Sequence, residues 1–433
     1  MKKALIILGN YSPNPSSVSN CMNPLIKKLS ETYIIDVITD RKRVDVPECE
    51  IKNNVSVYRV DDYRIMNTIY SNELNKINSS YPLRKITKLF TTILKTAYYI
   101  RYVMLAKEQG TAGWEKRRVL DKIVELDKKN KYDIIISASQ PFQSHYIAEQ
   151  FKYIKGDNLK WIVFQFDPFT FNDEIKVSRR RRKKMYIDEK RILSKCDAVL
   201  LTPELYEYYK KKNYIEITSK FSLLPFANLE PVEFNSTKVS KNYMLENKIN
   251  CLFTGRLYGD IRNPKKVLDV FSKLDNEIHL VMMTNFSINE MKEWSPNEYL
   301  PSIIPFQNRD TALYNLLCAD ILVNIGNTVE HQVPGKVFEY MSTGKPIIHF
   351  SKIPNDPALK YLKRYPKIFV VNEWEMDEID YKKKLDQFCK DNHKQKLTFE
   401  NVNRALGEYS GEAVQGKFIN IINEMLGEKQ SNE

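Results

Sequence analysis

A chain of 433 residues exceeds what one hydrophobic core organises, so two domains of about 200 residues each are expected. Its 42% apolar residues and 13 glycines exclude disordered and fibrous classes; six scattered cysteines with no C-x-x-C exclude a disulfide framework or a zinc site of the usual spacing and predict buried thiols. A formal net charge of +13 asks for an anionic partner.

In chain order, "MKKALIILGNYSPN" joins two lysines to an apolar run, Ala4 to Leu8, that is too short for a secretory leader and reads as a first buried strand. The loop "GNYSPNPSS" follows at the carboxyl edge of that strand. There Gly9, Tyr11, Ser12, Ser16 and Ser17 either line a cleft or make an ordinary turn. A helix through Pro24 to Ser30 and the strand "YIIDVIT" come next. From Tyr81 to Lys107 apolar residues such as Leu83, Ile86, Phe90 and Ile93 recur at three and four, with Arg84, Lys85, Lys88 and Lys95 along one flank. This is a basic amphipathic helix, suited either to an anionic membrane surface or to packing on a core with its cations solvated.

Further on, the strands "YDIIISAS", "KWIVFQF" and "DAVLLT" alternate with helices, one of them opened by the basic run "SRRRRKKM". Continuous Val/Ile/Leu runs without strict alternation predict strands buried on both faces, hence a parallel sheet. No helix-turn-helix, zinc-finger or RNP-like pattern accompanies the charge, so nucleic acid is not an expected partner. No stretch reaches about 18 uncharged apolar residues, which leaves no membrane span and predicts a cytoplasmic protein.

After "FSLLPFANLEPVEFNSTKVSKNY" the composition turns polar, as in a linker, and the alternation restarts with "INCLFTG", "IHLVMMT", "ADILVNIG", "KPIIHF" and "KIFVV". The expected boundaries are 1–230, 240–405 and a final segment, 406–433, whose apolar stripe crosses back to the first domain. Within the second half, "VPGKVFEYMSTGKPII" places Gly335 at the mouth of a helix that starts after a strand. Such a helix start offers free N–H groups to a phosphate. Gly335 permits close backbone approach, Lys336 adds a cation, and Glu339, one turn deeper, has the geometry to accept both hydroxyls of a ribose or simply to pair with a neighbouring lysine.

At these residues the sequence resembles a known family. "VPGKVFEYMSTGKPII" is similar to the donor-binding helix of the retaining, glycogen-synthase-like glycosyltransferases of GT-B fold that build bacterial capsules, exopolysaccharides and cell-surface glycans. "LFTGRLYGDIRNPKKVLDVFSKL" resembles the first strand, turn and helix of their C-terminal domain, and "SASQPFQSHYIAEQ", "KWIVFQFDPFTFND" and "DEKRILSKCDAVLLTPEL" their N-terminal elements. The resemblance implies two Rossmann-like doubly wound domains facing across a cleft, a nucleotide-diphosphate sugar as donor, and a glycan or polyprenyl-linked acceptor. It also implies that Gly255, Arg256 and either Arg262 or Lys265 grip the diphosphate with Gly335 and Lys336. Asp167 would face the anomeric centre, its residue-level alternative being a helix or turn cap among core aromatics, and His145 matches a motif histidine on the acceptor side, against the more ordinary reading of a helix-capping or packing histidine.

One departure stands out: the acid expected eight positions before Glu339 is replaced by His331, with Glu330 beside it. No D-x-D at a strand end is visible, so cations are expected to take the place of magnesium, and neither a metal nor a cofactor is required. An inactive scaffold that binds a partner or a membrane, and a nucleotide-sugar 2-epimerase, are the alternatives. The epimerase would want more cleft carboxylates and histidines than five histidines in all readily supply.

Overall fold

A computed structural model describes residues 1–11, 16–40, 46–60, 92–94, 96–97, 100, 116–139, 141–172, 177–225, 229–232, 241–259, 261–295, 299–375 and 378–427, the side chains of 17 and 378–380 excepted. Most of the amphipathic segment 81–107 lies outside these residues. The chain forms two compact units, one of Met1–Pro225 with Gln415–Glu433, the other of Phe226–Val414.

Among the described residues the first unit has eight strands: β1 (Lys2–Ile7), β2 (Tyr33–Asp40), β3 (Cys49–Lys52), β4 (Val55–Val60), β5 (Ile134–Ala138), β6 (Lys160–Phe164), β7 (Ala198–Leu201) and β8 (Phe221–Leu223). Their order is β3-β4-β2-β1-β5-β6-β7-β8, and every pairing is parallel except β3 with β4. The central runs are buried on both faces because helices cover them: Ile134 to Ile136 and Trp161 to Phe164 are all 0% exposed. Sequence reading passed over the β3–β4 hairpin. Its signal was Asn53-Asn54, and Asn53 takes the left-handed backbone (φ 55°) that such a tight turn requires.

Among the described residues the second unit has six strands, all parallel: β9 (Ile249–Thr254), β10 (Ile278–Thr284), β11 (Ser302–Pro305), β12 (Ile321–Ile325), β13 (Ile347–Ser351) and β14 (Ile368–Asn372). They run β11-β10-β9-β12-β13-β14. In this order the chain moves outward from β9 through β10 to β11, then returns to the other side of β9, where Ile321 and Leu322 pair with Cys251 and Leu252. The first sheet reverses in the same way between β1 and β5. A crevice opens at the carboxyl ends of the strands wherever such a reversal occurs, and ligands of doubly wound folds bind there.

Helix ends follow local chemistry. Ser178 and Thr202 cap their helices by accepting from Arg181 and Leu205 N–H, and Pro203 occupies a first-turn position that needs no N–H. The helix Lys336–Ser342 is closed by Gly344, with φ 74°; a Cβ there would lie 2.1 Å from the Leu397 carbonyl oxygen. No described helix is long and apolar enough to cross a membrane.

Candidate functional site

At the reversal of the second sheet, β9 is buried along its whole length, so the chain first reaches solvent at Gly255 and Arg256. The Arg256 guanidinium lies 5.9 Å over the ring of Phe306, itself 49% exposed. Next to it, Leu257 N–H donates to Asn285 Oδ1 (2.7 Å) and Asn285 Nδ2 donates back to Leu257 O (3.3 Å), which fastens this loop to the end of β10. Tyr258 and Arg262 close a turn by exchanging backbone hydrogen bonds of 3.1 and 2.7 Å.

Arg262 then reaches across the reversal. Its Nε donates to Asn327 Oδ1 just beyond β12 (2.9 Å), and its Nη1 to the Arg256 carbonyl (3.5 Å). Asn327, 2% exposed, donates in turn to the Gln332 carbonyl and side-chain oxygens (3.3 and 3.2 Å). Burial pulls the Arg262 pKa down, opposed by Tyr258, Tyr340 and Asp356. Its direct partners are neutral oxygens, so its charge is desolvated without being neutralised. Lys265, exposed, opens the helix Lys265–Phe271.

Gly335 is exposed, with φ −57° and ψ −22°, and a Cβ added there would meet no heavy atom within 4 Å. Neither backbone conformation nor packing of this chain therefore demands glycine at that point. Lys336 Nζ is paired with Glu339 Oε2, and Arg309 lies 3.8 Å from the other carboxylate oxygen. Among the described residues, by contrast, no ion pair involves Arg256, Arg262 or Lys265.

Tyr340 holds this helix to β9. Its hydroxyl accepts from Thr254 N–H (2.8 Å) and donates to Thr254 O (3.1 Å), immediately before Gly255. Burial pushes this phenol up to about 12, which keeps it a donor. Below the loop after β12, Asp356 Oδ2 accepts from His349 Nε2 (2.9 Å) and Ser351 Oγ (3.0 Å), while Asn324 Nδ2 donates to His349 Nδ1 (2.7 Å). A Cβ on Gly326 would come within 2.5 Å of that Asp356 oxygen, so only glycine lets the loop sit on this buried network. Glu330 accepts from Asn355 Nδ2 (3.0 Å), and His331 is half-buried on the same loop.

In the first unit the predicted acceptor-side residues separate. Ser12 lies outside the described residues, as does the side chain of Ser17. Ser16 caps the helix Ser17–Leu29: its Oγ accepts from Ser19 N–H (3.0 Å) and its own N–H donates to Ser19 Oγ (2.8 Å). Tyr11 is half-buried, and burial raises its pKa against the pull of Arg59.

His145, expected on the acceptor side, is a core residue with 0% exposure. Trp161 Nε1–H donates to Ser137 Oγ (2.9 Å), which lies 2.8 Å from His145 Nδ1; His145 Nε2 lies 3.1 Å from Gln165 Oε1; and Gln165 Nε2 donates to the Asp167 carbonyl (2.6 Å). Because Gln165 spends its NH2 on the Asp167 carbonyl, its Oε1 must accept from His145, which puts the imidazole proton on Nε2 and leaves Nδ1 to accept from Ser137 Oγ. Burial drives the imidazole pKa down to about 3. Asp167 itself is half-exposed, flanked by buried Phe166 and Pro168.

No protein-family model matches this sequence, nor does any curated protein. By structure, the chain is similar to sucrose-phosphate synthase from Thermosynechococcus elongatus, with TM-score 0.64 and 12% identity over 99% of this chain and 100% of that one. It is also similar to the catalytic domain of starch synthase IV from Arabidopsis thaliana, bound to ADP and acarbose (TM-score 0.61, 8% identity, 98% and 99% covered). A trehalose-6-phosphate synthase studied for glycosyl transfer with retention matches at TM-score 0.60 and 11% identity, with 97% and 99% covered. Two parallel α/β sheets of this order, matched over the full length of such structures, establish that the chain has the GT-B fold.

Proposed function

We propose that the protein is a glycosyltransferase that moves a sugar from a nucleotide diphosphate to a glycan or lipid-linked acceptor, with retention, in the synthesis of a surface polysaccharide. One observation carries it. Three cations, Arg256, Arg262 and Lys265, follow β9 without an ion pair among the described residues; a side-chain hydrogen bond ties their loop to Asn327, and Tyr340 ties the end of β9 to the helix beginning at Gly335. Such a cluster at a strand reversal suits an anion that arrives from solution, and the open face of Gly335 suits its close approach.

In this mechanism the anomeric bond breaks with oxocarbenium character while charge gathers on the departing diphosphate. Fixed cations lower that barrier because they meet charge where it develops. Arg256 and Lys336, with Arg262 or Lys265, take the phosphates; Glu339 leaves its pair with Lys336 to accept the ribose hydroxyls; Asp167 steadies the sugar ring or a hydroxyl. No metal is assigned a part. The starch synthase structure contains ADP and the retaining trehalose-6-phosphate synthase shares the fold, which supports this choice of donor class. Arg179 to Lys184, on an exposed helix start, would favour an anionic membrane at which a lipid-linked acceptor is met.

The test is a panel of UDP-glucose, ADP-glucose and GDP-mannose, assayed for hydrolysis and for transfer. Turnover of at least one, abolished in an Arg256→Ala, Arg262→Ala double variant, supports the assignment. Tight nucleotide binding without turnover of any would point to a scaffold instead.

A further inference from the structure

Glu189 lies on the helix Arg179–Lys195, is 0% exposed, and has no part in the function proposed above. Both of its carboxylate oxygens are doubly engaged. Oε1 accepts from Phe169 N–H (2.9 Å) and Tyr209 O–H (2.6 Å); Oε2 accepts from Thr170 N–H (3.1 Å) and Tyr214 O–H (2.7 Å). No ion pair with Glu189 occurs among the described residues, so its charge is met by four fixed dipoles. Burying a carboxylate in this manner costs more than an apolar side chain of the same volume, and a residue serving packing alone would not need it.

What the carboxylate grips is the short loop that carries Asp167. Upstream of that residue, Gln165 N–H donates to Leu200 O (2.9 Å), Phe166 N–H donates to Ser139 Oγ (3.0 Å), and the Gln165 side chain, set by His145, holds the Asp167 carbonyl (2.6 Å). Downstream, Glu189 holds Phe169 and Thr170, Arg182 Nη1 donates to Thr170 O, and Phe169 stacks on Phe142 with centroids 3.8 Å apart. Pro168 removes one further backbone freedom. The loop is thus fixed on both flanks, and the half-exposed Asp167 is the position between them.

We infer that Glu189 is a positioning residue: its four-donor carboxylate, with Tyr209 and Tyr214, clamps the 167–170 loop so that Asp167 is held ready for the reacting sugar. The kinetic half of this inference rests on the role given to Asp167 above; the mechanical half does not. An amide in place of the carboxylate must turn its NH2 toward one backbone N–H, which cannot accept, and one tyrosine hydroxyl, which can, so the clamp loses its hold on one loop N–H while keeping the volume.

The experiment pairs amide hydrogen exchange with kinetics on the full chain. In Glu189→Gln, the amides of Phe169 and Thr170 should exchange about tenfold faster or more, with strands β5 and β6 unchanged. Using whichever of UDP-glucose, ADP-glucose or GDP-mannose the wild type turns over, kcat should fall about tenfold or more while KM for the donor stays within about twofold. Tyr209→Phe and Tyr214→Phe, which each remove one donor, should give smaller losses of the same kind and keep the test available if Glu189→Gln fails to fold. Combining Glu189→Gln with Asp167→Asn should be no slower than Asp167→Asn alone, because the clamp acts through that residue. Unchanged exchange in these variants, or losses that multiply in the combined variant, would overturn the inference. If Asp167→Asn turns over normally, the role of Asp167 and the kinetic half fall together, and the exchange rates alone still decide whether Glu189 holds the loop.

Discussion

Near the reversal of the first sheet, between β1 and β5, the polar side chains of Ser137, His145 and Gln165 turn inward and satisfy one another, each 0% exposed. At the reversal of the second, between β9 and β12, Arg256 and Lys265 turn outward, and no ion pair forms with them among the described residues. The topology of the two places is alike, and so is the strand chemistry that builds them. What differs is whether the groups at the strand ends are already satisfied. A satisfied network fixes a loop, whereas cations without an ion pair suit the proposed anionic ligand, so topology supplies the location and the side chains supply the chemistry.

The sharpest way to break this contrast is Asp167→Asn, on the loop that the inward network holds. Turnover should drop by about a hundredfold or more, as for a lost preorganised contact, with nucleotide affinity unchanged. Normal turnover would reduce the first reversal to scaffolding. In the outward cluster, Glu339→Ala should weaken binding of a nucleoside diphosphate about tenfold or more, since a charge-assisted contact is worth about 1.5–3 kcal/mol. Calorimetry reads this directly, and an unchanged Kd removes the ribose role.

Smaller effects sharpen the comparison. Tyr340→Phe leaves the Thr254 N–H and carbonyl without their buried partner, a loss of about 1–3 kcal/mol in the second unit by denaturant melting. His145 makes stability depend on pH. Its folded pKa, about 3, lies below the ordinary 6.5, so across that window unfolding takes up a proton and stability falls as pH falls. The slope approaches about 1.4 kcal/mol per pH unit from this one group. Urea melts of His145→Gln should lack that increment relative to wild type; parallel pH curves would show the imidazole to be protonated in the fold.

Most strands were legible because continuous runs such as "INCLFT" and "DIIISA" can only be buried on both faces. The place of Gly335, Lys336 and Glu339 at a helix start was legible too, since a glycine, a cation and an acid in this spacing form a local pattern. The fastening of that site was not. Tyr340 to Thr254 and Arg262 to Asn327 join residues 86 and 65 positions apart, and nothing local marks an aromatic or an asparagine as a tie. His145 stayed open between motif and packing for a related reason: a histidine opening a helix after a strand looks the same in sequence whether it faces solvent or core, and its burial favours packing. The cap at Ser16 has a local signal, because a serine three residues before another at a helix start is a cap in the making.

Gly335→Ala tests the central claim most directly. Its φ of −57° suits alanine and its Cβ would meet nothing within 4 Å, so the melting temperature should hold or rise slightly. If the diphosphate seats against this helix mouth, the added methyl must obstruct it, and titration of UDP, ADP and GDP should show affinity falling about tenfold or more for the nucleotide that the wild type binds. Equal affinity in a variant that melts like the wild type would contradict the seat at Gly335 and, with it, the proposed donor site.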